Sequence, residues 1–107
     1  MTDVVVELEV NEAGETIACA KISTSEWELN IRAPVSDFAR LDRIRTADWH
    51  ARASLAVGES AGAQVFWAAK GDSASILVGR DDETWDFSVT VPLAVVDEVT
   101  SLVAQLA

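Results

Sequence analysis

Between residues 50 and 91 the chain passes four times through about eight residues of strand-like sequence, and each pass is separated from the next by a short cluster of turn formers. The runs are 50–57, 63–69, 74–79 and 84–91; the breaks are 58–62, 70–73 and 80–83. Breaks this short cannot hold the crossover that a parallel neighbour requires, so successive strands turn back on one another as an antiparallel meander. The last run shows the pattern most clearly. Trp85, Phe87, Val89 and Val91 alternate with Thr84, Asp86, Ser88 and Thr90, which predicts one face in a core and one in water.

The amino-terminal part follows the same rule. Val4, Val6, Leu8 and Val10 share one face of a first strand, with Asp3, Glu7 and Glu9 on the other. Asn11-Glu12-Ala13-Gly14 supplies a turn, and residues 15–22 return as the second arm of a hairpin. After Ser23-Thr24-Ser25, Trp27, Leu29 and Ile31 alternate with Glu26, Glu28, Asn30 and Arg32 to give a third strand with one wet face. The period then changes. Ser36 or Asp37 is placed to cap a helix in which Phe38, Leu41 and Ile44 recur at i, i+3, i+6, ending near Thr46.

Pro92 suits the first turn of a closing helix, and Val95, Val96, Val99, Leu102, Val103 and Leu106 form a broad apolar stripe along it. That stripe needs the sheet as its partner. The expected architecture is therefore α+β: a curved antiparallel meander of six to seven strands, a short helix after strand three, and a C-terminal helix packed on the sheet.

The chain has 107 residues, half of them apolar and about a quarter charged, which predicts a single domain over 1–107 with one core. No apolar run approaches the roughly 20 residues that cross a bilayer, and Met1-Thr2-Asp3 lacks the basic flank of a signal peptide, so a cytoplasmic protein is expected. The 18 acidic and 8 basic residues leave a formal charge of −10. A field of that sign repels phosphate backbones and anionic lipid, which sets aside direct nucleic-acid and membrane partners and favours a basic protein surface. The lone Cys19 has no disulfide partner and is expected as a buried, inert thiol.

Chemistry-bearing patterns are sparse along the chain. His50 is the only histidine, so no zinc set or His pair can form, and no nucleophile turn accompanies it and Asp48. The carboxylates Asp81, Asp82, Glu83 and Asp86 lack the ligand spacing of a calcium loop. None of the five glycines builds a phosphate-cradling loop. On these grounds no catalytic residue, metal or cofactor is expected, and the chain is read as one that binds rather than catalyses. The only concentration of positive charge is Arg40, Arg43, Arg45 and Arg52, which reads as a solvated face balanced by Asp37, Asp42 and Asp48.

Four tryptophans in a chain without tyrosine are the remaining signal. Trp27 and Trp85 lie on apolar strand faces and are expected in the core. Trp49, beside Arg45, His50 and Arg52, and Trp67, on a strand with bulk on both faces, are the candidates for a binding surface. The acidic candidates are Glu7, Glu9, Glu26 and Glu28, should strands one and three share a face, together with Asp81, Asp82 and Glu83.

A small acidic α+β chain with several tryptophans resembles small bacterial immunity or inhibitor proteins. The resemblance implies a protein-binding domain that neutralises a basic partner such as a toxin or nuclease. The alternative is a small-molecule-binding or enzymatic domain whose pocket, between sheet and helix, is lined by Trp49 and Trp67 with His50 as proton carrier. A third expectation is self-association through residues 63–69 and 75–78; both a monomer and a homodimer remain open.

Overall fold

The computed structural model describes all residues 1–107. Seven strands follow one another in space as they do in sequence: β1 (Asp3–Val10), β2 (Thr16–Ser23), β3 (Glu28–Pro34), β4 (Leu55–Ser60), β5 (Ala63–Lys70), β6 (Ser73–Gly79) and β7 (Trp85–Pro92). Every neighbouring pair is antiparallel. The sheet is a curved meander not closed into a barrel, because β1 and β7 do not pair.

The register explains the core. Ala18, Ala20 and Ile22 of β2, Leu29, Ile31 and Ala33 of β3, and Val65, Trp67 and Ala69 of β5 take alternate positions and meet in one buried cluster, while Phe66 and Ala68 of β5 are buried on the other face of the sheet. Helix α2 (Leu93–Leu106) lays Leu93, Val95, Val96, Val99 and Val103 on that face, packing against β1 and against the segment that follows β3. Trp67 is fully buried, and its indole N–H donates to the Val57 carbonyl at 2.9 Å, so its one polar atom is satisfied.

The expected helix after strand three is present in an unexpected form. A single α-turn, α1 (Val35–Phe38), runs into a 3₁₀ helix over Ala39–Thr46. Phe38, Leu41 and Ile44 are all buried there. A strict spacing of three aligns side chains on one face only when there are three residues per turn, so the apolar pattern itself suits the tighter helix. Pro34, not Ser36 or Asp37, stands at the N-cap.

Residues 50–57 depart from the expected strand. Trp49–Ala51 is a second 3₁₀ turn, and β4 begins only at Leu55. At the other end β4 continues through Gly58 to Ser60, and only Ala61 and Gly62, both at positive φ, make the hairpin turn. Gly58, at φ +87°, is a bulge between Ala56 and Glu59. A Cβ on Gly58 would lie 2.6 Å from Ile31 Cγ2, so any other residue at this approach of β4 to β3 would force Ile31 or the strand to shift.

Residues 63–69 and 75–78, expected to pair between copies, form central strands with neighbours on both sides. Their backbone groups are used inside the sheet and cannot join a second chain. Cys19 lies half-buried on the outer face between Glu7 and Arg32, because Ala18 and Ala20 take the inward positions. No helix is long and apolar enough to cross a membrane.

Candidate functional site

The 3₁₀ turn Trp49–Ala51 is built by Asp48. Its carboxylate accepts from the His50 amide at 3.0 Å, and its carbonyl accepts from the amides of Ala51 and Ala53. Arg52 then takes a left-handed conformation, φ 57°, which turns the chain into β4. The facing wall is the β6–β7 loop. Asp81 Oδ1 accepts from the Glu83 amide at 2.9 Å and the Thr84 amide at 2.6 Å, closing the loop on itself. These two amide hydrogen bonds hold the Asp81 carboxyl below its ordinary range.

The two walls meet through two contacts. Ser54 Oγ donates to Asp82 Oδ2 at 2.8 Å, and the rings of Trp49 and Trp85 pack edge to face with centroids 5.8 Å apart. Between them lies a cleft of about 320 Å³ lined by Trp49, His50, Arg52, Asp82 and Glu83. Trp85 is 37% exposed and Phe87, two residues along the same edge strand, 41%. Both were expected in the core. The bulge breaks the alternation between them: Phe87 pairs with Val78 on the core-facing row, whereas Trp85 pairs with the next residue, Gly79, which faces the other way, and packs there on Trp49; α2 begins only at the far end of β7.

The expectation of a chain without catalysis is corrected by this cleft. It rested on the absence of a catalytic set along the sequence, where His50 stands alone with Asp48. Folding brings Asp82 and Glu83, thirty or more positions away, across from His50 and Arg52. An imidazole and two carboxylates in one concavity are groups used in general acid–base chemistry, and the guanidinium beside them can hold an anion, so that ground for setting catalysis aside is gone. Nothing in the local spacing of residues 48–52 or 80–83 signals the convergence.

The other sequence candidates divide. Trp49 lines the cleft, whereas Trp67 has no exposed surface to offer a partner or a pocket, since β4, β6 and the core enclose it. Glu7, Glu9 and Glu28 do share the outer face of β1–β3 through the pairings Glu7↔Cys19↔Arg32, Glu9↔Ile17↔Pro34 and Ser23↔Glu28. Glu26 is exposed in the turn before β3. That face is less negative than its carboxylates suggest: Arg32 binds Glu9 at 2.8 Å, and Lys21 lies 3.4 Å from Glu28. Asn30 and then Lys21 hold the Glu28 carboxyl below its ordinary range.

Trp27 sits in the turn that Thr24 closes, half-buried against the core. The four arginines form no common patch. Arg40 donates to the Ala56 carbonyl at 3.0 Å, Arg45 makes two 2.8 Å bonds to Asp97 on α2, and Arg52 lines the cleft. A wider groove of about 590 Å³ lies where β3 and β4 meet through the single pair Arg32↔Glu59, with Asp37 and Glu15 on its rim. No three His, Cys, Asp or Glu side chains converge as a metal-ligand group. Compared with known proteins, the chain matches no family model, no curated protein and no solved structure.

Proposed function

We propose that the Trp49–Trp85 end of the molecule is the binding face for a basic protein partner, as an immunity or inhibitor protein that masks a toxin or nuclease would present. The observation that carries this reading is the aromatic pair itself. Two tryptophans meet at 5.8 Å with Trp85 more than a third exposed, and Asp81, Asp82, Glu83 and Asp86 lie around Trp85 in sequence. Large rigid rings at the centre of a charged rim are the anatomy of an interface anchor. The formal charge of −10 supplies long-range attraction for a basic surface and speeds encounter at low salt.

The test is capture from lysate of the source organism by the native chain and by the Trp85→Ala and Asp82→Lys variants, washed with rising salt. A basic protein retained by the native chain, released as salt rises and lost from both variants supports the reading. Retention that both variants keep overturns it.

A second reading is favoured by the opposed charges of the cleft. A small ligand carrying both an anionic and a cationic group would meet Arg52 and His50 on one wall and Asp82 and Glu83 on the other, with Trp49 as an apolar floor. In that reading His50 is the group placed to move a proton. Ligand-induced changes in Trp49 fluorescence that vanish in both His50→Gln and Arg52→Ala would support it; a screen of zwitterionic ligands that leaves the signal unchanged would sink it.

A further inference from the structure

The sheet has two edges, and they are finished differently. At β7 the pairing with β6 is interrupted by a bulge between Val78 and Gly79, and Pro92 ends the strand. Bulges and prolines are the devices that stop another chain from continuing a sheet. β1 carries neither. Its eight residues pair with β2 in unbroken register from Asp3↔Ser23 to Val10↔Thr16, without proline, glycine or bulge.

The free side of β1 is also unsatisfied within the chain. Outside the helix and strand ladders, no backbone hydrogen bond involves residues 3–10, and β2 is the only strand that β1 pairs with. The outward-facing half of its N–H and C=O groups therefore waits for a partner or for water. The side chains beside that edge are not uniformly polar. Val4, Val6 and Leu8 pack only partly on the core, Val5 is 50% exposed and Val10 69%. The outer-face row is Asp3, Val5, Glu7 and Glu9, and Val10 ends the core-facing row.

We propose that the β1 edge accepts an extended segment of a protein partner as an eighth strand, and that this segment alternates apolar and basic residues. Its apolar side chains extend the row of Val4, Val6 and Leu8 on the core face; its basic side chains lie beside Asp3 and Glu7 on the outer face. Glu9 is already engaged by Arg32, so Asp3 and Glu7 are the free carboxylates of the row. A second copy of the chain does not suit the edge. Two β1 strands that continue one sheet with their core faces aligned place Asp3, Glu7 and Glu9 of both copies on the same outer face, in chains that each carry −10. This edge lies across the sheet from β7, and the proposal stands whether or not the Trp49–Trp85 end binds a protein.

The experiment follows backbone amides of the labelled full chain by NMR while an eight-residue peptide alternating valine and lysine is added. A peptide alternating valine and glutamate serves as control. The expected result is shifts and slowed hydrogen exchange at alternate amides of β1, little change at Trp85 and Trp49, and no response to the glutamate peptide. Asp3→Lys with Glu7→Lys, both exposed positions, is expected to weaken the lysine peptide about tenfold and to admit the glutamate peptide. No protection in β1 at millimolar peptide, equal binding of both peptides, or a concentration-dependent dimer that protects β1 without any peptide would each overturn the proposal.

Discussion

Trp67 and Trp85 lie two strands apart in one sheet, both in apolar strand sequence, and they end in opposite surroundings. Trp67 on central β5 is flanked by β4 and β6, faces the core on the side where the 3₁₀ helix Ala39–Thr46 packs on β5, and spends its N–H on Val57. Trp85 on edge β7 has a strand on one side only and packs edge to face on Trp49 of the 3₁₀ turn Trp49–Ala51. Alternation tells which face a side chain takes; whether that face is covered depends on where the rest of the chain goes. The covered half of the molecule is built for stability, and the uncovered end holds every group of the candidate cleft.

Substitution should separate the two regions. Trp67→Ala removes a fully buried ring and its hydrogen bond and is expected to cost about 3–5 kcal/mol in urea unfolding, with loss of cooperativity if the core collapses unevenly. Trp85→Ala should leave the unfolding midpoint nearly unchanged while weakening a captured partner roughly thirtyfold, the scale of a 2 kcal/mol interface anchor. Equal losses of stability in the two variants would erase the distinction between the regions.

Glycine positions sharpen it further. Gly58→Ala is expected to cost about 1–3 kcal/mol, because φ +87° is strained for alanine and its methyl would press on Ile31. Gly62→Ala shares the positive φ, +82°, but meets no atom within 4 Å, so thermal unfolding should show a smaller loss, about 1 kcal/mol. A reversed order would show that β3 yields at the bulge.

Acid should act on the uncovered end first. The Asp81 carboxyl is held below its ordinary range by two amide hydrogen bonds, so the loop's stabilisation is complete above the ordinary carboxylate range and is lost as pH falls through the lowered value. Fluorescence of the Trp49–Trp85 pair is expected to change in that acidic window before the core unfolds, and Asp81→Ala should show the altered signal already at neutral pH. A signal that moves only with global unfolding would tie the loop to the core. The smallest effect is expected at Arg45→Ala. Its paired bonds to Asp97 are exposed, so the loss should be barely measurable and should vanish in high salt.

Much of the architecture was legible in the residues. The turn-punctuated alternation predicted the antiparallel order, and the stripe after Pro92 predicted the closing helix. Where the reading slipped, a local rule met a longer-range one. Residues 50–54 look strand-like in their apolar alternation, yet Asp48 captures the following amides and holds them in a 3₁₀ turn. The cluster 58–62 looks like one loop, yet only Ala61-Gly62 turns, because Gly58 is needed as a bulge against β3. Glu9 and Glu28 read as free charges until the sheet register sets Arg32 and Lys21 beside them.

Most of the strands, their order and the closing helix follow from the residues alone, because period and turn chemistry depend on neighbours along the chain. Which tryptophan is covered, which carboxylates are paired, and that His50 and Arg52 face Asp82 and Glu83 were set by the folded arrangement. Those outcomes depend on contacts between residues tens of positions apart, whose placement follows from the packing of α2 and the curvature of the whole sheet.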